Sequence, residues 1–129
     1  MKLNKLLAMV SLILSASPAL ADWTMIQTSD NGNMYIDFDS VKKADGLVQV
    51  LTLNDYYVPQ GKNEMSSTWL ELHDCKNKKF KALSIKYYVE NMAAGGLLST
   101  YALPEAETAW ADVVPYSIGE LKANVICSK

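Results

Sequence analysis

The chain has 129 residues and a formal net charge of −2, and its basic residues are all lysines. Without arginine it lacks the planar donor group that most often reads bases and binds phosphates through paired hydrogen bonds. Composition and charge therefore argue against nucleic acid as a partner. The length suits a single domain.

The amino-terminal 21 residues have the pattern of a secretory signal peptide. Lys2 and Lys5 precede an apolar run, and Pro18 precedes a small-residue cleavage site that ends at Ala21. The apolar run is shorter than the roughly 20 residues that a spanning helix needs. We therefore predict a signal peptide over 1–21, an exported domain over 22–129 and no transmembrane helix in the mature chain.

Cys75 and Cys127 are the only cysteines of the chain. An exported protein matures in an oxidising compartment, where two cysteines usually pair. We predict that they form a disulfide.

Alternating apolar residues and turn signals predict about six antiparallel strands. Asn31-Gly32 and Asp45-Gly46 are hairpin signals, and residues 39–43 are predicted to form a turn. The predicted strands cover residues 23–28, 34–38, 47–57, 66–74, 80–90 and 97–103.

The last part of the chain predicts a helix. Ser117 and Glu120 have the spacing of a capping box, and Ile118, Leu121 and Val125 form an apolar stripe to which Ile126 is a candidate addition. A lone short helix is unstable in water, so this one should pack on the sheet. The predicted fold is α+β: one antiparallel meander with one C-terminal helix packed on it and one disulfide.

Three tracts give the chain a resemblance to the surface-adhesin protein E family of Gram-negative bacteria. They are residues 34–43 (MYIDFDSVKK), residues 66–75 ending in Leu-His-Asp-Cys, and residues 115–120 (PYSIGE) with the helix up to Cys127. The resemblance spans the mature chain. It implies a small sheet backed by a C-terminal helix, one disulfide, and binding of host extracellular-matrix proteins.

The resemblance also bears on the cellular location. The family's adhesin is an outer-membrane lipoprotein, and lipid attachment needs a cysteine at the cleavage site. This chain has Asp22 there. We therefore expect a protein of the periplasm, the cell surface or the medium that carries no lipid anchor.

His73 is the only histidine, so any metal or base-catalysis hypothesis depends on it. With both cysteines in a disulfide, the chain lacks a ligand set for zinc. Strand alternation points His73, Glu71 and Trp69 away from Leu70 and Leu72, which favours a sheet residue. No nucleophile motif is present. We predict a non-enzymatic protein without a cofactor.

Two groups of residues are candidate binding sites. Trp69 and Tyr88 lie on aromatic-rich central strands, and aromatic residues are favoured in interfaces; sheet packing is the alternative, and a homodimer through this surface is one form of binding. Lys76, Lys78 and Lys79 lie on one hairpin and would attract an acidic partner. The alternative for them is a solvated edge that discourages aggregation.

These observations predict an exported binding module for a protein of the extracellular matrix or the cell envelope. The alternatives are a periplasmic carrier of a small apolar or aromatic ligand and an enzyme of unrecognised type. An enclosed apolar pocket would favour the carrier, whereas an open exposed patch would favour the protein binder.

Cleavage after Ala21 without lipid attachment is testable on the native protein. The intact mass is expected to equal that of residues 22–129 with one disulfide, because Asp22 cannot accept a lipid. A mass increased by acyl chains would contradict this prediction.

Overall fold

The computed structural model describes residues 21–104 and 109–129, so the predicted signal peptide lies outside the described residues except for Ala21. Six strands follow one another in the sheet in chain order, each antiparallel to the next, and a seventh pairs with the fifth. The elements are β1 (Trp23–Thr28), β2 (Gly32–Ala44), β3 (Leu47–Tyr56), β4 (Ser66–Asp74), β5 (Lys79–Tyr88), a 3₁₀ turn (Asn91–Ala93), β6 (Leu97–Ala102), β7 (Ala111–Asp112) and α1 (Ile118–Cys127). The predicted meander with a C-terminal helix is confirmed.

Strand β2 continues through residues 39–43, where the sequence predicted a turn, so that prediction is wrong. The register between β2 and β3 shifts between Asp37 and Lys42. At this irregularity the Ser40 hydroxyl donates to the Asp37 carbonyl at 2.6 Å and accepts from the Leu51 N–H at 2.8 Å. The Ser40 side chain thus replaces backbone hydrogen bonds between β2 and β3, and residues 39–43 remain extended.

The helix covers part of one sheet face, and the core lies beneath it. Ile36, Val50 and Ile126 are fully buried there, and Val48 completes the cluster. Cross-strand pairing places Val50 beside Glu71 and Val48 beside His73, so these side chains share the helix-side face. The predicted alternation of β4 follows the same pattern, with Glu71 and His73 beneath the helix.

The predicted apolar stripe of α1 is wrong at two of its positions. Ile118 and Leu121 are 44% and 43% exposed, whereas Ala123 and Ile126 are buried against the sheet. Lys122 also faces the sheet, because its ammonium group pairs with a buried carboxylate described below. The helix is therefore rotated from the orientation that its most apolar residues would favour.

The predicted Ser117 cap is present at the start of α1, but Glu120 bonds the residue before the cap and not the cap residue itself, as a capping box would require. The Ser117 hydroxyl accepts from the Glu120 N–H at 3.1 Å, and the Glu120 carboxylate accepts from the Tyr116 N–H at 3.2 Å. Tyr116 has φ +62°, in the left-handed region. Its side chain is completely exposed, so the cap presents an aromatic ring to solvent at the end of the helix.

The predicted disulfide joins Cys75, next to the end of β4, to Cys127, the last residue of α1. The two Cα atoms are 5.8 Å apart, and 52 positions separate the cysteines in the sequence. The bond therefore fastens the helix to the sheet that it covers.

Removal of this disulfide is expected to destabilise the domain strongly. Cys75→Ala/Cys127→Ala should lower the free energy of unfolding by roughly 2–5 kcal/mol, because a long loop is no longer closed in the unfolded chain. Denaturation of the wild type in the presence of a thiol reductant is the matched control and should give a similar loss. Complete thiol labelling of the folded, unreduced wild type would contradict the bond.

Candidate functional site

A polar cluster lies between the sheet and the helix, around the buried carboxylate of Glu71. Oε2 accepts from the Thr52 hydroxyl at 2.5 Å and from the Lys122 ammonium group at 2.9 Å. Oε1 lies 3.0 Å from His73 Nε2. An ionised carboxylate only accepts hydrogen bonds, so Nε2 carries the proton. Three elements, β3, β4 and α1, thus meet at a single side chain.

The partners of Glu71 keep it ionised although it is buried. Burial alone raises the pKa of this carboxyl group, but the hydrogen bond from His73, the charge of Lys122 and the hydrogen bond from Thr52 outweigh burial and lower the pKa to about 2. Since the side chains of Glu71 and Lys122 are 1% and 14% exposed, their ion pair is shielded from solvent. Removal of one partner of a buried ion pair leaves an uncompensated buried charge and strongly lowers the free energy of unfolding.

His73 belongs to this cluster. Its ring stacks on Phe80 with centroids 5.9 Å apart, and its Nδ1 is buried without a hydrogen-bond partner among the described residues. The described part of the chain contains no group of three His, Cys, Asp or Glu residues that could hold a metal ion. The geometry gives His73 the role of a sheet residue that donates to Glu71.

The opposite sheet face is open, and Tyr88 lies on it. Register pairs Tyr88 with Ser66 and Ser84 with Leu70, so these residues share the face that points away from the helix. An open groove of about 380 Å³ follows this face, lined by Trp23, Leu51, Thr68, Leu70, Ser84, Lys86, Tyr88 and Met92. Tyr88 therefore lines a concave surface that the described residues leave uncovered.

Trp69 lies on the helix-side face of the sheet, the face opposite Tyr88. Its indole N–H donates to Ser67 at 3.0 Å. The same face carries Tyr87 and Tyr101, whose rings meet edge to face at 5.9 Å, with the Lys62 ammonium group 4.7 Å from the Tyr101 ring. The structure thus separates Trp69 from Tyr88 by the thickness of the sheet, and one patch cannot contain both. The sequence offered no signal for Lys62, which arrives from a loop.

The predicted lysine hairpin contains residues in different environments. Lys76 and Lys78 are exposed, whereas the Lys79 ammonium group lies 3.0 Å from the Asp112 carboxylate. Lys43 donates to the carbonyl of Lys129, at the end of the chain. These lysines lie at one end of the sheet, because pairing of Leu47 with Asp74 brings the β2–β3 and β4–β5 turns together. This basic end, comprising Lys42, Lys43, Lys76, Lys78 and Lys129, is larger than the sequence predicted.

Loss of the cation beside Glu71 is expected to destabilise the domain. Lys122→Met leaves a buried carboxylate without its ion pair and should lower the free energy of unfolding by roughly 3–5 kcal/mol. Lys76→Met removes an exposed lysine and should change it by no more than about 0.5 kcal/mol. Chemical denaturation at neutral pH measures both. Equal effects of the two substitutions would contradict a structural role of the ion pair.

Because of the Glu71 carboxylate, we expect the stability of the domain to depend on pH. The pKa of Glu71 is lower in the folded chain than its ordinary value of 4.5, so its stabilising contribution is complete above pH 4.5 and is lost as the pH falls towards 2. Glu71→Gln removes this contribution. The stability difference between wild type and Glu71→Gln should shrink across that interval, and a difference independent of pH would contradict the assignment.

One comparison with known proteins identifies a family, and another identifies similar folds. The family model described as "Surface-adhesin protein E" matches residues 23–128. Comparison with curated proteins gives no match. Solved structures of Haemophilus influenzae protein E are similar to this chain. One crystal form is 18% identical with a TM-score of 0.59, covering 81% of this chain and 87% of that one.

Two further structures show the same fold. A second structure of Haemophilus influenzae protein E is 20% identical with a TM-score of 0.58, over 81% of this chain and 83% of that one. Protein E from a non-typeable strain is 18% identical with a TM-score of 0.56, over 81% and 75%. The structural likeness concerns the fold, while the family model spans nearly the whole described chain. This chain belongs to the surface-adhesin protein E family.

Proposed function

We propose that this chain is an exported, non-enzymatic binding module whose partner is a protein of the host extracellular matrix or of the cell envelope. The observation that carries the proposal is the open sheet face of a chain from an adhesin family. Leu51, Leu70 and Tyr88 are only half-buried there. Exposed apolar surface of this kind is typical of protein interaction sites.

The shape of the surface favours a protein partner over a small ligand. The groove beside Tyr88 is open, and a second open groove of about 310 Å³ lies near Leu47, Leu72 and Leu83. Two smaller clefts beside the helix hold only about 60 and 70 Å³. A carrier would need an enclosed cavity of roughly 300–1,000 Å³. Among the described residues the larger spaces are open, which supports the protein binder.

The proposed location is outside the cytoplasm and without a lipid anchor. Membership of a surface-adhesin family supports export, and so does the disulfide between Cys75 and Cys127. In the described part of the chain, no helix has both the length and the apolar character needed to cross a membrane. The proposed contact residues are Tyr88 on the open face, Trp69 on the other face, and Lys76, Lys78 and Lys79 at the basic end.

A capture experiment separates these surfaces. Immobilised mature protein is exposed to matrix extract and to solubilised envelope proteins at about 0.1 M and about 1 M salt. If the open face binds, Tyr88→Ala should weaken capture about tenfold at both salt concentrations, since an aromatic anchor carries a large share of interface energy. Tyr57→Ala, at an exposed tyrosine near the end of β3, is the matched control.

The other candidate surfaces give different outcomes. If the aromatic cluster binds, which consists of Trp69, Tyr87 and Tyr101 on the helix-side face, Trp69→Ala should reduce the capture that resists salt. If the basic end binds, Lys76→Glu/Lys78→Glu should abolish the capture that is sensitive to salt. Lys79 stays unchanged because it is paired with Asp112. Light scattering of each variant detects a homodimer that would occupy the same surface. Absence of specific capture from both extracts would contradict the binding-module proposal.

A further inference from the structure

Strand β1 forms one edge of the sheet. It pairs with β2, and no other strand of the described residues pairs with its outer side. An edge strand presents unpaired N–H and C=O groups, and proteins often protect it with charged residues, proline or a bulge. The sequence of β1, WTMIQT, contains no charged residue and no proline, and its one irregularity is the register shift between Met25 and Gln27. The backbone of this strand is therefore available for another strand.

A cleft beside β1 offers side-chain contacts to such a strand. It is open, has a volume of about 400 Å³, and is lined by Gln27 of β1 and by Tyr116, Ile118 and Leu121 at the start of the helix. All three are exposed: the rotation of α1 leaves Ile118 and Leu121 outside, and Tyr116 lies just before the helix. The backbone N–H of Tyr116 donates to Glu120 at the helix cap. Three apolar side chains thus stand beside a strand edge that carries neither charge nor proline.

Gln27 adds a polar feature to the cleft. The register between β1 and β2 shifts between Met25 and Gln27, and Ile26 packs against the core while Gln27 lines the cleft. The side-chain oxygen of Gln27 is buried and has no hydrogen-bond partner among the described residues. Buried acceptors normally have a donor. This one is suited to an N–H or hydroxyl group of a bound chain.

The charges around β1 are acidic. Asp22 directly precedes the strand, Asp30 lies in the turn that follows it, and Glu120 lines the cleft. Among the residues that the structure describes, no lysine lines the cleft. Charge complementarity therefore favours a partner segment with basic residues.

We propose that a basic, extended segment of a partner protein adds a strand to the free edge of β1. Its main chain pairs with β1, an apolar side chain enters the cleft against Ile118 and Leu121, and a donor reaches the Gln27 oxygen. Strand addition takes affinity from main-chain hydrogen bonds and specificity from pockets for alternate side chains. The proposal rests on the proposed function, in which the chain binds proteins, but its cleft is lined by neither Tyr88 nor Trp69.

The test uses displayed random peptides flanked by lysines, selected on the mature, disulfide-bonded protein. Leu121→Lys places a charge in the cleft and should weaken the selected peptides about tenfold or more. Leu98→Lys is the matched control, because Leu98 is also 43% exposed but lies on β6, the strand at the other edge. Its effect should be less than about twofold.

Two further measurements identify the binding mode. Backbone N-methylation of a selected peptide should abolish binding, because it removes the hydrogen bonds of the added strand while keeping the side chains. Amide chemical-shift changes should centre on residues 23–28. Three results would overturn the proposal. The selected peptides could still bind after N-methylation, they could shift the amide signals of the open face or of β6 instead, or the selection could yield no binder.

The two proposals fail separately. Tyr88→Ala and Trp69→Ala should leave peptide binding at β1 unchanged, so loss of matrix or envelope capture in those variants leaves the β1 proposal standing. Conversely, capture that persists in Leu121→Lys while peptide selection fails would overturn strand addition and retain the binding module.

Discussion

The attachment of α1 to one sheet face is the constraint on which the rest of the structure depends. Two different interactions produce it: the Cys75–Cys127 bond at the end of the helix, and the ion pair between Lys122 and the buried Glu71 in its middle. The ion pair has a geometric consequence. For Lys122 to reach Glu71, the helix turns Ala123 and Ile126 towards the sheet, at the spacing of a single helical face. The bulkier Ile118 and Leu121 are then left outside.

This arrangement decides which surfaces are free for a partner. The only histidine lies inside the helix–sheet contact, where it donates to Glu71. The remaining surfaces are the open sheet face with Tyr88, the aromatic cluster with Trp69, the basic end and the edge of β1. The solved structures named above are 18–20% identical to this chain, so the likeness to them concerns the fold.

Much of the fold could be predicted from sequence because its signals are local. Strands β1 and β4 have the predicted bounds, the Ser117 cap is present, and the disulfide followed from an export signal and two cysteines. The errors arose where a distant group decided the outcome. The Ser40 side chain replaces hydrogen bonds of the strand pair by bonding to Leu51. Such a contact cannot be recognised from the spacing of apolar residues in the sequence.

The candidate site was harder to predict for the same reason. Alternation placed Glu71 and His73 on one face, opposite Leu70 and Leu72, but no pattern linked Glu71 to Lys122, which lies 51 positions later. The only available signal was a lysine four positions before Ile126, on the side of the helix that faces the sheet. Trp69 and Tyr88 were grouped by residue type, whereas strand register places them on opposite faces. Lys62 joins the aromatic cluster from a loop, where neither helical nor strand periodicity applies.

The central claim is that helix and sheet form one cooperative unit, so that partners meet preformed outer surfaces and the helix does not open. Native-state hydrogen exchange of the oxidised mature protein tests this claim most directly. The most protected amides of α1 should exchange with the same opening free energy as those in the middle of β3 and β4, because all of them require global unfolding. Exchange of the α1 amides at a markedly lower free energy, with β3 and β4 still protected, would contradict the claim and show that the helix detaches by itself.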